Sequence, residues 1–136
     1  MKLYNLDHSP YSTRVRMQVR YKSLPIEILP PPIALRTPEF MARFAMGKVP
    51  VLELDDGTLI SESTVIMDYL EDVFAQEPMR PTDPVARAQM GMLSRYADTH
   101  MGPAALFPIF KAAMAPKGVD WQPHIDALGV ELARLE

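Results

Sequence analysis

The sequence of 136 residues contains no cysteine. Disulfide bonds, thiolate metal sites and a nucleophilic sulfur of the protein's own are therefore excluded, so any sulfur that reacts must belong to a ligand. Long apolar runs are also missing, because no window approaches the roughly 18 consecutive apolar residues of a membrane-spanning helix. We therefore expect a cytoplasmic protein without a membrane partner.

An excess of positive charge is absent as well. The 14 lysines and arginines are outnumbered by 17 aspartates and glutamates, which gives a formal net charge of −3. This balance provides no general attraction to nucleic acid, so a nucleic-acid partner is not expected. The three histidines (His8, His100 and His124) form no ligand pattern, and no metal site is predicted.

The residues that are present predict strands and helices in alternation. Residues 2–6 alternate between apolar and polar as in a strand, and Ser12 or Thr13 then offers the N-cap of a first helix. Apolar residues within the segment 26–28 predict a second strand, which the prolines at 30–32 end.

The next segment continues this pattern. Thr37 and Pro38 predict the start of a second helix, and Gly47 is expected to close it. The segment 49–60, VPVLELDDGTLI, predicts a hairpin that turns at its Asp-Gly pair. From Ser63 onward apolar residues recur at helical spacing, so the predicted order is βαβαββα.

The second half of the chain predicts helices only. After a proline-rich linker, Asp83 is expected to cap a helix that runs to about Met101 and bends at residues 102–103. A last helix is expected from about Pro123, and it reaches Glu136 within its own apolar repeat. Because so few helices cannot easily bury one another's apolar faces, we expect the chain to be a truncated product.

Three short motifs lie at boundaries of these elements: SPYS at 9–12, GKVP at 47–50 and SES at 61–63. In this order they resemble the glutathione transferase family, and the helical segments ESTVIMDYLEDVF and DPVARAQM extend the resemblance along the chain. The resemblance implies glutathione as co-substrate, a small electrophile as second substrate, transfer of glutathione between them, and a homodimer.

The resemblance also implies the fold class and the domain boundaries. The fold is α/β, with a thioredoxin-like βαβαββα N-terminal domain followed by an all-α C-terminal domain that is incomplete. The expected boundaries are 1–76 for the first domain, 77–82 for the linker and 83–136 for the second domain.

By the same resemblance Ser9 is the catalytic residue, whose hydroxyl stabilises the glutathione thiolate at the head of the first helix. Tyr11 is an alternative that lines the pocket, and Ser12 is interpreted as the helix cap. The implied glutathione-binding residues are Tyr11, Arg36, Lys48, Val49, Pro50, Glu62 and Ser63. The arginines at 14, 16 and 20 are interpreted as a solvated or subunit-facing edge of the first helix.

Each binding residue has an implied partner on glutathione. A cis bond before Pro50 turns the backbone of Val49 toward the cysteinyl unit, which pairs with it as a short strand. Ser63 receives the γ-glutamyl carboxylate at the start of a helix and Glu62 receives its ammonium, although an ordinary N-cap pair is an open alternative. Lys48 and Arg36 face the glycyl carboxylate.

A second interpretation remains open. Leu35 stands where some family members have histidine, and FAMG replaces the usual Asn-Pro before the glycine. These departures are compatible with a transferase-like protein that binds a protein partner without catalysis. Such a protein resembles the stringent starvation protein A family, which associates with RNA polymerase. Saturable binding of glutathione distinguishes the two interpretations.

Overall fold

Strands and helices alternate along the first half of the chain. The computed structural model describes residues 1–115 and 119–135. In chain order its first elements are β1 Lys2–Tyr4, α1 Pro10–Tyr21, β2 Glu27–Leu29, α2 Pro38–Arg43, β3 Val51–Glu53, β4 Leu59–Ser61 and α3 Ser63–Val73. The predicted order βαβαββα is confirmed.

The strands of residues 1–79, all of which are described, form one mixed sheet in the order β2-β1-β3-β4. β1 is parallel to β2 and antiparallel to β3, and β3 is antiparallel to β4. Because side chains alternate along a strand, Leu3 packs with residues of α1 and α3 on one face of the sheet, and Tyr4 packs with residues of α2 on the other.

A buried ion pair fixes α1 against α3. The Nζ atom of Lys22 lies 2.8 Å from Oε2 of Glu71, and these side chains are 1% and 7% exposed. Lys22 also donates to the carbonyl of Phe74, and Gln18 donates to the carbonyl of Met67. Removing one partner of a buried pair costs about 3 to 5 kcal/mol, because the other charge is left uncompensated. These contacts join the C-terminal end of α1 to the C-terminal half of α3.

The start of α1 differs from the prediction. Ser9 is the N-cap, with its Oγ accepting from the N–H of Ser12 at 3.2 Å, and Pro10 is the first helical residue. Proline suits this position because its fixed φ is helical and it has no N–H to leave unpaired. The interpretation of Ser12 as the cap is therefore wrong: Ser12 is fully buried inside the helix, and its Oγ accepts from the N–H of Leu6.

The start of α2 is as predicted, with Thr37 accepting from the N–H of Phe40 and Pro38 following it. The helix ends at Arg43, however, and so is shorter than expected. Gly47 instead turns the chain after the helix, with φ of +61° and its N–H donating to the carbonyl of Phe44 at 2.7 Å.

A second compact unit, Arg80–Glu136, is distinct from the first, Met1–Met79. Its helices are α4 Pro84–Tyr96, α5 Phe107–Ala113 and α6 Gln122–Ala133, with a π-helical segment Ala97–Leu106 between α4 and α5. Asp83 caps α4 as predicted, accepting from the N–H of Ala86 at 2.7 Å. Glu136, where the last helix was expected to end, lies outside the described residues.

The bend expected at residues 102–103 falls within the π-helical segment, and α4 ends at Tyr96, before the expected Met101. The helical run changes to π geometry at Ala97 and returns to α geometry at Phe107. Pro103 cannot donate a backbone hydrogen bond, and a Cβ at Gly102 would lie 3.1 Å from the carbonyl oxygen of Ala97. The wider π turn accommodates these residues without ending the helix. Among the described helices, none is both long enough and apolar enough to cross a membrane.

Candidate functional site

Ser9 lies at the first turn of α1, in the loop that follows β1. Its residue is half-buried, and its Oγ uses one lone pair to accept from the N–H of Ser12. Within residues 1–115 and 119–135, the Ser9 hydroxyl hydrogen has no acceptor. The hydroxyl is therefore oriented by the helix start and keeps its donor for a ligand.

Ser63 lies at the start of α3, the second helix of the candidate site. Glu62 is the N-cap residue but makes no side-chain capping bond, and its φ of +69° is unusual for a residue with a Cβ. The first intrahelical bond runs from the N–H of Ile66 to the carbonyl of Glu62. The earlier N–H groups of this turn and the positive end of the helix dipole suit an anion, and the first turn after Glu62 contains no acidic residue.

Arg14 joins the two helix starts. Its Nε donates to Oγ of Ser63 at 3.0 Å, and its guanidinium lies over the ring of Tyr11, 4.9 Å from the ring centroid. Ser63 is only 4% exposed, so the positive charge of Arg14 approaches a sheltered hydroxyl beside the N–H groups of α3. The turn of Ser9 and the turn of Ser63 are thus connected through one side chain of α1.

Val49 and Pro50 lie directly before β3. The peptide bond between them is cis, as expected. In the part of the chain that is described, the N–H and the carbonyl of Val49 have no hydrogen-bond partner, although the residue is half-buried. Both groups are therefore available to an extended peptide ligand.

Lys48 and Arg36 are not brought into contact with the rest of the site. Both are exposed, and neither forms a hydrogen bond or ion pair with any described residue. Arg36 has φ of +63° in the loop before α2. Leu35 is half-buried against the cluster of Tyr4, Phe40, Phe44 and Val51, so its side chain contributes to the core.

Tyr4 belongs to the core and not to the reactive turn. Its hydroxyl donates to Oε2 of Glu53 at 2.9 Å, and Arg43 donates to the same oxygen at 2.7 Å. Burial and the bond to Glu53 raise the pKa of Tyr4, whereas the Tyr4 hydroxyl and then Arg43 lower the pKa of Glu53. A phenolate at Tyr4 is therefore disfavoured.

Of the three α1 arginines, expected to form a solvated or subunit-facing edge, two form hydrogen bonds with residues of their own chain. Arg14 contacts Ser63, and Arg16 forms four hydrogen bonds around the Ser9 turn, whereas Arg20 is exposed. A signal in the sequence for these contacts is that Arg14 and Arg16 both lie within the first two turns of α1, close to Ser9. No group of three possible metal ligands occurs among the described residues.

Known proteins share both the sequence pattern and the fold. The profile described as "Glutathione S-transferase, N-terminal domain" matches residues 3–78, more than half of the chain. Glutathione S-transferase U4 of Arabidopsis thaliana is 32% identical over 121 residues, which are 88% of this chain and 52% of the relative. The chain thus spans about half the length of the curated relatives it matches.

Solved structures agree with this result. A glutathione S-transferase from Rhodospirillum rubrum F11 has a TM-score of 0.81 at 24% identity, over 98% of this chain and 62% of that one. A glutathione transferase family member from Pseudomonas fluorescens Pf-5, with bound glutathione, has a TM-score of 0.73 at 27% identity, over 99% of this chain and 69% of that one.

The mixed sheet with α1 and α3 on one face and α2 on the other is a thioredoxin-like domain, and a helical region follows it. The chain belongs to the glutathione S-transferase family.

Proposed function

We propose that this chain provides the glutathione site of an enzyme that transfers glutathione to a small electrophile, with Ser9 stabilising the thiolate. The observation that carries the proposal is the Ser9 hydroxyl, which accepts from the N–H of Ser12 and has its hydrogen available at a helix start. The sulfur forms a bond to an electrophilic carbon with its own electron pair. A leaving group then departs with its pair, or the new carbanion takes a proton from solvent.

The energies are compatible with this role. Lowering a thiol pKa from about 8.5 by two units requires roughly 2.7 kcal/mol. A hydrogen bond to a charged acceptor contributes about 1.5 to 3 kcal/mol. A helix N-terminus adds about 0.3 to 1 kcal/mol. The Ser9 hydroxyl and the start of α1 together cover the requirement.

The rest of glutathione is proposed to extend from Ser9 in two directions. At one end the α3 N-terminus and Ser63 receive the γ-glutamyl carboxylate, with Arg14 adding a positive charge, and Glu62 receives the ammonium. In the middle, the backbone of Val49 before Pro50 pairs with the cysteinyl unit, and Tyr11 borders the pocket.

At the other end, the exposed side chains of Lys48 and Arg36 are proposed to receive the glycyl carboxylate. Their lack of partners among the described residues agrees with a role in binding a ligand. We further propose that the protein forms a homodimer and is located in the cytoplasm.

Two substitutions separate the chemistry of Ser9 from its structural role. Ser9→Ala removes both the cap and the donor, whereas Ser9→Asp keeps a cap acceptor but cannot donate to sulfur. We expect both variants to lose most turnover of chlorodinitrobenzene with glutathione, and only Ser9→Ala to lose about 1 kcal/mol of stability. The thiolate absorbance of bound glutathione should disappear at neutral pH in both.

The heat of glutathione binding, measured by calorimetry, can contradict the proposal. If the wild-type chain shows no saturable heat, the proposal is contradicted and the interpretation as a non-catalytic regulator gains support. If it binds glutathione and Ser9→Asp turns over normally, binding stands and the catalytic role moves away from Ser9. The transferase names of the relatives favour the enzyme.

A further inference from the structure

Arg16 lies at the centre of the hydrogen bonds that hold the Ser9 turn. On the side before Ser9, its Nη1 donates to Oδ1 of Asn5 at 2.7 Å and to Oδ1 of Asp7 at 2.6 Å, and its Nη2 donates to the carbonyl of Asp7 at 2.8 Å. On the side after Ser9, Nη2 donates to Oγ1 of Thr13 at 2.9 Å. One guanidinium therefore spans the turn from end to end.

Thr13 transmits this contact to Ser9 itself. Its Oγ1 accepts from Arg16 and donates to the carbonyl oxygen of Ser9 at 2.9 Å. The same carbonyl accepts from the N–H of Thr13, also at 2.9 Å. The backbone of Ser9 is thus held by two bonds, and the orientation of one of them depends on Arg16.

Arg16 is sheltered, since its side chain is only 11% exposed, whereas the Asp7 carboxylate is 98% exposed. An ion pair with so exposed a carboxylate contributes little. The effect of Arg16 therefore comes from its planar fork of donors to Asn5, the Asp7 carbonyl and Thr13, a geometry that lysine cannot reproduce.

From this geometry we infer that Arg16 is a positioning residue for catalysis, which holds the Ser9 hydroxyl in place through Thr13 and the loop after β1. The inference rests on the proposed role of Ser9. It explains why an arginine in the body of α1 faces the turn and not solvent. Misplacement of a reacting group by about 1 Å can lower a rate by up to about a hundredfold.

The test compares Arg16→Met, Arg16→Lys, Thr13→Val and Thr13→Ser in the full chain, with glutathione and chlorodinitrobenzene as substrates. Arg16→Met and Arg16→Lys should lower kcat by about tenfold or more, with KM for glutathione nearly unchanged. The pH at which the bound thiol ionises should rise. Thr13→Val should also lower kcat and raise the pH at which the bound thiol ionises. Thr13→Ser, which keeps the hydroxyl, should have wild-type values of both. Arg20→Met is the matched control, because Arg20 is an exposed arginine one helical turn further along α1.

A double-mutant cycle with Ser9→Ala shows whether Arg16 acts through Ser9. We expect Arg16→Met to cause no further loss of kcat in the Ser9→Ala background; equal losses in both backgrounds would overturn the inference. Wild-type kcat and thiol ionisation in Arg16→Met would overturn it while leaving the role of Ser9 intact. Unchanged turnover in Ser9→Ala would overturn both. If Arg16→Met does not fold, the Thr13 variants carry the same test.

Discussion

Ser9 and Ser63 show how one residue type takes different roles at two helix starts. The Ser9 oxygen caps its own helix and accepts from a backbone N–H, whereas the Ser63 oxygen leaves its helix uncapped and accepts from Arg14. The first hydroxyl is therefore directed by local backbone, and the second by a side chain of another helix. At the residue scale, Arg14 is the positive charge that contacts the Ser63 hydroxyl, whereas the Ser9 hydroxyl accepts from a neutral backbone N–H.

The charge of Arg14 predicts a dependence on the γ-glutamyl group. Arg14→Met should weaken binding of glutathione by about tenfold or more, because one charge-assisted contact is worth about 1.5 to 3 kcal/mol. Cysteinylglycine lacks the γ-glutamyl carboxylate, so its weaker binding should hardly change. Calorimetry with both thiols measures the two effects, and equal losses for both would contradict the assignment of Arg14 to this carboxylate.

Glu53 predicts a pH dependence of stability. The hydroxyl of Tyr4 and the guanidinium of Arg43 hold its pKa below the ordinary 4.5. A lowered pKa in the folded state means that the stabilisation is present above pH 4.5 and is lost as the pH falls through the folded pKa. Urea unfolding of the wild type and Glu53→Gln should therefore differ at neutral pH and converge in acid.

Glu27 offers the control for this series, because it is an exposed glutamate on strand β2 of the same sheet. Glu27→Gln also removes a carboxylate but leaves the contacts of Glu53 with Tyr4 and Arg43 intact, so it should not reproduce the loss of stability of Glu53→Gln at neutral pH. A difference between wild type and Glu53→Gln that persists undiminished into acid would show that the contribution of Glu53 does not depend on its charge.

At the scale of elements, Gly47 determines how the chain passes from α2 to the segment of Val49 and Pro50. Its φ is +61°, and a Cβ there would overlap Sδ of Met41. Gly57 in the β3–β4 hairpin has φ of +86°, and a Cβ there would meet no atom within 4 Å. Gly57→Ala therefore measures only the cost of holding a residue with a Cβ at positive φ. We expect Gly57→Ala to cost about 1 kcal/mol, and Gly47→Ala to cost that amount plus the small cost of displacing the exposed side chain of Met41.

The steric part can be isolated in a second background. In Met41→Ala protein the overlap is removed, so Gly47→Ala should cost about as much as Gly57→Ala, or about 1 kcal/mol. Urea unfolding of the single and double variants gives the values. Equal costs of Gly47→Ala in both backgrounds would mean that Met41 does not constrain this turn.

The helices and strands that could be predicted are those whose ends are determined by residues adjacent in the sequence. Thr37 with Pro38 and Asp83 with Pro84 mark helix starts, and the prolines after Leu29 end β2. The same rule applies to Ser9 with Pro10, but the sequence pattern was interpreted with Ser12 or Thr13 as the cap, and the resemblance assigned Ser9 to chemistry. A residue can hold both roles, because capping uses an acceptor and thiolate binding uses a donor.

The contacts that could not be predicted join distant segments. Arg14 and Ser63 are 49 positions apart, and their meeting depends on how α1 and α3 pack on the sheet. The π-helical segment Ala97–Leu106, which contains Pro103, is also not revealed by a helical periodicity. The motifs predict which turns form the candidate site, whereas the contacts of Arg14 and Arg16 with those turns required the fold.

At the scale of the whole molecule, thiolate stabilisation couples glutathione binding to pH. If the bound thiol has a lower pKa than the free thiol, at about 8.5, then affinity rises about tenfold per pH unit between the two values. Affinity is constant below the bound pKa and again above the free pKa. Each tenfold gain in affinity adds about 1.4 kcal/mol of stability at a fixed excess of ligand.

Thermal unfolding of the full chain with two ligands measures this coupling without any electrophile. S-methylglutathione keeps both carboxylates and the ammonium but has no ionisable thiol, so pH effects on those groups are shared by the two ligands. The increase in unfolding temperature caused by glutathione should grow from pH 6 to about pH 8.5, whereas that caused by S-methylglutathione should not. In Ser9→Asp the two ligands should behave alike, since the donor to sulfur is absent. Parallel curves in the wild type would mean that the protein binds glutathione as a neutral thiol, and Ser9 would then be a helix cap alone.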